Sequence, residues 1–167
     1  MATMANPGDL RFYHGDGSPA DTLIADATGG PSASQAYVHV EIDLGDGTAI
    51  GELLGGLQHY PTPDEPAGRV TLWPTSAHTD PATLAAALAW ARSEATQRLG
   101  YGWEDIANAG LRVLAPGAPA IAAANAWDCS DFVTRFLLQA RVALPFALAS
   151  EPHCVTPEGL ALALGVR

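Results

Sequence analysis

From Val38 to Leu44 the chain alternates apolar and polar side chains without a break: Val38, Val40, Ile42 and Leu44 against His39, Glu41 and Asp43. A period of two puts the first set on one face of a strand and the second set on the other. Gly45-Asp46-Gly47 follows directly, and a second strand-like run occupies Thr48 to Leu54. Two such runs joined by a glycine-rich turn predict an antiparallel hairpin. The rest of the chain has to cover its apolar face.

Leu10 to Tyr13 and Arg69 to Trp73 read as further strands, and Asp21 to Ala27, closed by Gly29-Gly30, as a short helix. Beyond a Pro- and Gly-rich break at Pro61 to Gly68 the period changes. Asp80-Pro81 is an N-cap followed by proline at the first helical position. Leu84, Leu88, Ala91, Ala95 and Leu99 then recur at helical spacing. Tyr101 to Gly110 predicts a shorter helix. A second break, Ala115 to Ala126, precedes a helix that opens at Asp128 to Asp131 and turns Val133, Phe136, Leu137 and Ala140 inward. Thr156-Pro157-Glu158 opens a last helix that runs to Leu164. Strands first and helices after predict one α+β domain over residues 1–167, with helices packed on an antiparallel sheet.

Charge narrows the partners. The chain carries 18 acidic residues against 8 basic ones, a net of -10, and all eight cations are Arg. Such a surface repels phosphate backbones and anionic headgroups, so neither nucleic acid nor a membrane is an expected partner. The absence of Lys excludes lysine Schiff-base chemistry and the lysine-bearing phosphate loop. No apolar run reaches the roughly 18 residues a membrane span requires. Met1 to Leu10 has neither the basic nor the apolar region of a signal peptide, so the expected location is cytoplasmic.

Cys129 and Cys154 are too few for a disulfide scaffold. Cys129 carries the most information. With Asp128 as N-cap it falls in the first turn of a helix, where unpaired N–H groups and the dipole favour a thiolate and offer donors to an oxyanion. A small hydrophobe buried under a helix start would sit in the same place. His39, on the polar face of the strand, is the natural base for such a thiol, and a third polar group has to orient it. Glu52, on the next strand, is the first candidate for that role, and Glu41, two residues along from His39, is its rival. His14, His59, His78, His153 and Cys154 show no metal-ligand spacing, so neither a metal nor a cofactor is expected. Trp73, Trp90, Trp103 and Trp127 read as core rather than as a ligand platform.

Several segments, in order, carry a resemblance: Gly8-Asp9-Leu10 with Phe12-Tyr13, Thr22-Leu23-Ile24 to Gly29, Tyr37-Val38-His39-Val40, Leu44-Gly45-Asp46-Gly47 and Glu52. Gly100-Tyr101-Gly102-Trp103, Trp127-Asp128-Cys129-Ser130-Asp131-Phe132-Val133 and Val155 to Ala161 continue it. Together they resemble the circularly permuted NlpC/P60 group of papain-like cysteine hydrolases, the YiiX/YaeF-like amidases and peptidases. His39 precedes Cys129, the reverse of the unpermuted order. The resemblance implies a papain-like fold with Cys129 as nucleophile, His39 as general base and Glu52 as third residue. It also implies a substrate that is a peptide with cell-wall character or an acylated amine. A lecithin–retinol acyltransferase-like enzyme, or a binding module that keeps the fold without the chemistry, would share these features. Two positions depart from the family: Val38 stands where Ser or Thr usually precedes the His, and Glu41 where a small apolar residue is usual.

Overall fold

Alternation of large apolar side chains with polar ones gives the first half of the chain a sheet with two unlike faces. The structure, a computed structural model, describes residues 5–27, 35–53, 55–62, 65–66, 68–97, 100–101, 126–152 and 155–166. Its strands β1 (Leu10–His14), β2 (Tyr37–Asp43), β3 (Thr48–Leu53), β4 (Gly56–Pro61) and β5 (Val70–Trp73) form one antiparallel sheet in the order β4-β3-β2-β1-β5. A second pairing is short and parallel, β6 (Gly100–Tyr101) with β7 (Ala126–Trp127), and leads directly into the segment that carries Cys129.

Register assigns the faces. Leu10 lies opposite Ile42, Phe12 opposite Val40 and Ile42 opposite Ile50, and all of these are fully buried. Helices cover that face: α2 (Pro81–Thr96), α3 (Cys129–Gln139) and α5 (Pro157–Leu164) pack on it, with α1 (Pro19–Ala27) and the short α4 (Phe146–Ser150) at the periphery. Phe132, Val133, Phe136 and Leu137 of α3 meet the sheet residues in one core. Burial of a side chain of this size contributes roughly 1.5–3 kcal/mol, so this face holds the domain together. The opposite face presents Arg11, Tyr13, His39, Glu41 and Asp43, since Arg11 pairs with Glu41 and Tyr13 with His39.

Helix starts follow the caps. Asp80 accepts from the N–H groups of Ala82 and Thr83, Asp128 from that of Asp131, and Thr156 from that of Gly159. Each such cap contributes about 1 kcal/mol. Leu84, Leu88 and Ala91 of α2 are buried and Ala95 packs against the core as expected; Leu99 lies outside the described residues.

The α+β reading of the sequence holds, with three differences. Val38 does not share the environment of Val40 and Ile42. The β1–β2 register slips between Tyr13 and His14, so that Tyr13 faces His39 while His14 faces Tyr37 and Val38 is the extra residue. A bulge of this kind re-aims the side chains around it. Val38 joins Ala25, Ala36 and Ile24 in a small separate cluster, and Tyr37 joins the main core. The second difference is β4, which the sequence reading passed over: Leu53 pairs with Gly56, and Gly56 has φ 98°. Third, Gly100 and Tyr101 form β6 rather than opening a helix, and 102–110 lie outside the described residues. Among the described residues no helix is long and apolar enough to cross a membrane.

Candidate active site

Asp128 precedes α3 with extended backbone, and its carboxylate accepts from the Asp131 N–H at 2.7 Å while its carbonyl accepts from the Phe132 N–H at 3.1 Å. Cys129 is therefore the first residue of the helix, and the N–H groups of Cys129 and Ser130 are the first-turn donors that this cap does not use. The Ser130 hydroxyl also bonds Asp128, at 2.9 Å. Cys129 is buried, with 4% of its surface exposed, and its thiol is free.

His39 comes from the other side of the sheet. The β2–β3 pairs lie at the hairpin end, Ile42 with Ile50 and Asp43 with Ala49. His39 lies beyond them, next to the Val38 bulge, and there the ring and the Cys129 sulfur influence each other. Burial alone would lower the His39 pKa, but polar contact with the Cys129 sulfur, its charge, and then the Glu41 carboxylate outweigh burial and hold the ring up at about 10. Among the described residues the Nε2 atom has no partner at full hydrogen-bond geometry. The Cys129 sulfur is thus near enough to the His39 ring to raise its pKa.

Glu41 is the carboxylate at the ring. Its Oε2 lies 3.6 Å from His39 Nε2. Tyr60 donates to the same Oε2, and Tyr13 donates to Oε1 at 2.5 Å. Arg11 adds its Nε at 3.2 Å from Oε1 and bonds Asp43 with Nη1 at 3.2 Å. Burial would push this carboxyl up, yet the neighbouring His39 ring and the hydrogen bonds from Tyr13 and Tyr60 hold it below its ordinary value, as a carboxylate. The same negative charge, together with burial, keeps both phenols protonated well above their usual range. Tyr13 also packs its ring against the imidazole, with centroids 5.5 Å apart.

Glu52, the first candidate for this role from the sequence, stands elsewhere. It shares a strand face with Ile50, the face that α3 covers, whereas His39 and Glu41 occupy the opposite one. It is 1% exposed, and among the described residues neither carboxyl oxygen has a hydrogen-bond partner. Burial, then the nearby charges of Asp128 and Asp131, push it up to about 8, against a weaker pull from His39. Its surroundings favour the uncharged form. Continuing the register from Ile42 and Ile50 brings Glu52 level with Val40 rather than with His39.

The remaining candidates are spread over the molecule. His14 stacks on Tyr37 at 4.2 Å, His78 on Trp73 at 4.4 Å, and His59 bonds the Thr48 hydroxyl at 2.8 Å. His153, Cys154 and Trp103 lie outside the described residues. Trp90 and Trp127 pack with Phe132 against the core, and Arg135 lies over the Trp127 ring, 5.2 Å from its centroid. The sequence reading missed Arg11, Tyr13, Gly51 and Tyr60. Arg11 and Tyr13 alternate with Leu10 and Phe12, a period-two signal that was open to reading. Tyr60 was hidden because its strand was.

No family model matches the chain, and no curated protein matches it.

Proposed function

We propose that this protein is a cysteine hydrolase of the circularly permuted papain-like kind, cleaving amide or peptide bonds through an acyl-thioester on Cys129. One observation carries the reading: a free cysteine at the first position of a capped helix interacts with a histidine that a buried carboxylate also supports. A buried structural cysteine needs neither an imidazole nor a carboxylate, whereas a nucleophile needs both.

In this reaction the Cys129 thiolate attacks the substrate carbonyl carbon. The resulting oxyanion is received by first-turn N–H groups of α3, including that of Cys129. Protonated His39 gives its proton to the leaving nitrogen, the carbon–nitrogen bond breaks, and an amine departs from the thioester. Neutral His39 then takes a proton from water as the water oxygen attacks the thioester carbon. The carbon–sulfur bond breaks, releasing the acid and restoring the thiolate and the imidazolium. Glu41 stays ionised throughout, orienting the ring and stabilising its charged form. The substrate class is a peptide or an acylated amine, small enough to reach a buried sulfur.

Reactivity tests the assignment. In a short exposure to iodoacetamide at pH 6, Cys129 should alkylate much faster than Cys154, and a His39→Asn variant should lose the difference. Peptide mass spectrometry reads both thiols at once. Equal labelling of the two in the unaltered protein would count against a catalytic Cys129.

A further inference from the structure

We propose that Tyr60 is a positioning residue of the Cys129–His39 centre, acting through Glu41, with Tyr13 as its counterpart on the other carboxylate oxygen. This rests on the hydrolase reading and adds to it the device that sets the direction of the third residue.

A carboxylate turns easily about its last torsion, and the backbone of β2 alone does not fix which oxygen meets the imidazole. Here each oxygen has its own phenol. Tyr13, from β1, takes Oε1 at 2.5 Å, while Tyr60, from β4, takes Oε2, the same atom that lies 3.6 Å from His39 Nε2. Two donors from opposite sides hold the carboxylate plane in one orientation. Arg11 secures the first of them, donating from Nε to the Tyr13 hydroxyl at 2.9 Å.

Tyr60 reaches Glu41 across β3, and the position it crosses is a glycine. A Cβ on Gly51 would lie 2.8 Å from the Tyr60 hydroxyl oxygen, 3.1 Å from Glu41 Cβ and 3.6 Å from His39 Nε2. Any side chain there would displace the phenol from the carboxylate or press on the ring. Gly51 is not in the left-handed region. Close approach, not backbone conformation, is what requires glycine at this position.

Tyr60→Phe removes the donor and keeps the ring, so the packing of β4 survives. Because a hydrogen bond to the charged form of a carboxylate favours that form, Glu41 should take up its proton at higher pH once the phenol is gone. Carbon-13 titration of the Glu41 carboxyl should move up by about one pH unit, equivalent to roughly tenfold. The acid limb of Cys129 alkylation by iodoacetamide should move with it, since His39 loses its support as Glu41 protonates. Gly51→Ala should reproduce both shifts with the phenol intact, and the double variant should go no further than Tyr60→Phe alone. If the unaltered Cys129 is reactive and Tyr60→Phe leaves its pH profile unchanged, the positioning role is overturned. If Gly51→Ala fails to fold, Tyr60→Phe decides alone. An unaltered Cys129 no more reactive than a free thiol would refute the hydrolase reading instead, and the Glu41 titration would still separate that failure from this one.

Discussion

Glu41 and Glu52 stand on adjacent strands, each about 1% exposed, and end in opposite states. Glu41 faces the side of the sheet lined by Arg11, Tyr13, His39 and Tyr60, and every one of those groups favours its charge. Glu52 faces α3, where the neighbouring charges are Asp128 and Asp131, and none of the described residues bonds it. Burial penalises both carboxylates alike, so the partners decide. What the contrast teaches is that depth says little about a buried acid until its donors are counted. Of the two, only Glu41 is equipped to hold an imidazolium.

The sharpest way to break the contrast is to remove each charge in turn. Glu41→Gln should lower Cys129 alkylation and any amidase turnover by ~10²–10⁴-fold, the range for losing acid–base support. Glu52→Gln should leave both within a small factor. Reversed sensitivities would return the orienting role to Glu52.

Stability sharpens it from the other side, with a smaller effect. Glu52 titrates at about 8 in the folded protein against an ordinary 4.5. Across that window the unfolded chain has released its proton and the folded one has not, so Glu52 takes stability away as pH rises from 4.5 to 8. Glu52→Gln should therefore melt higher than the unaltered protein by a margin that is small near pH 4.5 and widens to a few degrees by pH 8. Glu41 has the opposite sign: its lowered value contributes stability above its ordinary range, lost as pH falls. Melting curves of both glutamine variants from pH 4 to 8 check the pair. A constant gap for Glu52→Gln would mean that the carboxyl is not held uncharged.

Much of this was legible in the sequence. Alternation from Val38 to Leu44 placed β2, the Asp-Pro and Thr-Pro pairs placed the starts of α2 and α5, and Asp128 placed Cys129 at the head of α3. These are local signals, read from spacing and caps. The choice between Glu41 and Glu52 was not local. It depends on which face of β3 looks toward His39, and a one-residue difference in register reverses that answer. Tyr60 depended on a further strand pairing, and the bulge at Val38 on a slip visible only against β1. Composition alone could not supply any of the three.

The most direct measurement is a titration of the His39 ring by NMR in the unaltered protein and in its Glu41→Gln and Glu52→Gln variants. The arrangement around Cys129 calls for a ring that stays protonated well past neutrality, up to about 10, in the unaltered protein. Glu41→Gln should lower it, since the carboxylate adds to the hold that the Cys129 sulfur exerts, and Glu52→Gln should not. A ring that titrates near 6.5 in all three proteins would contradict a working Cys129–His39–Glu41 centre.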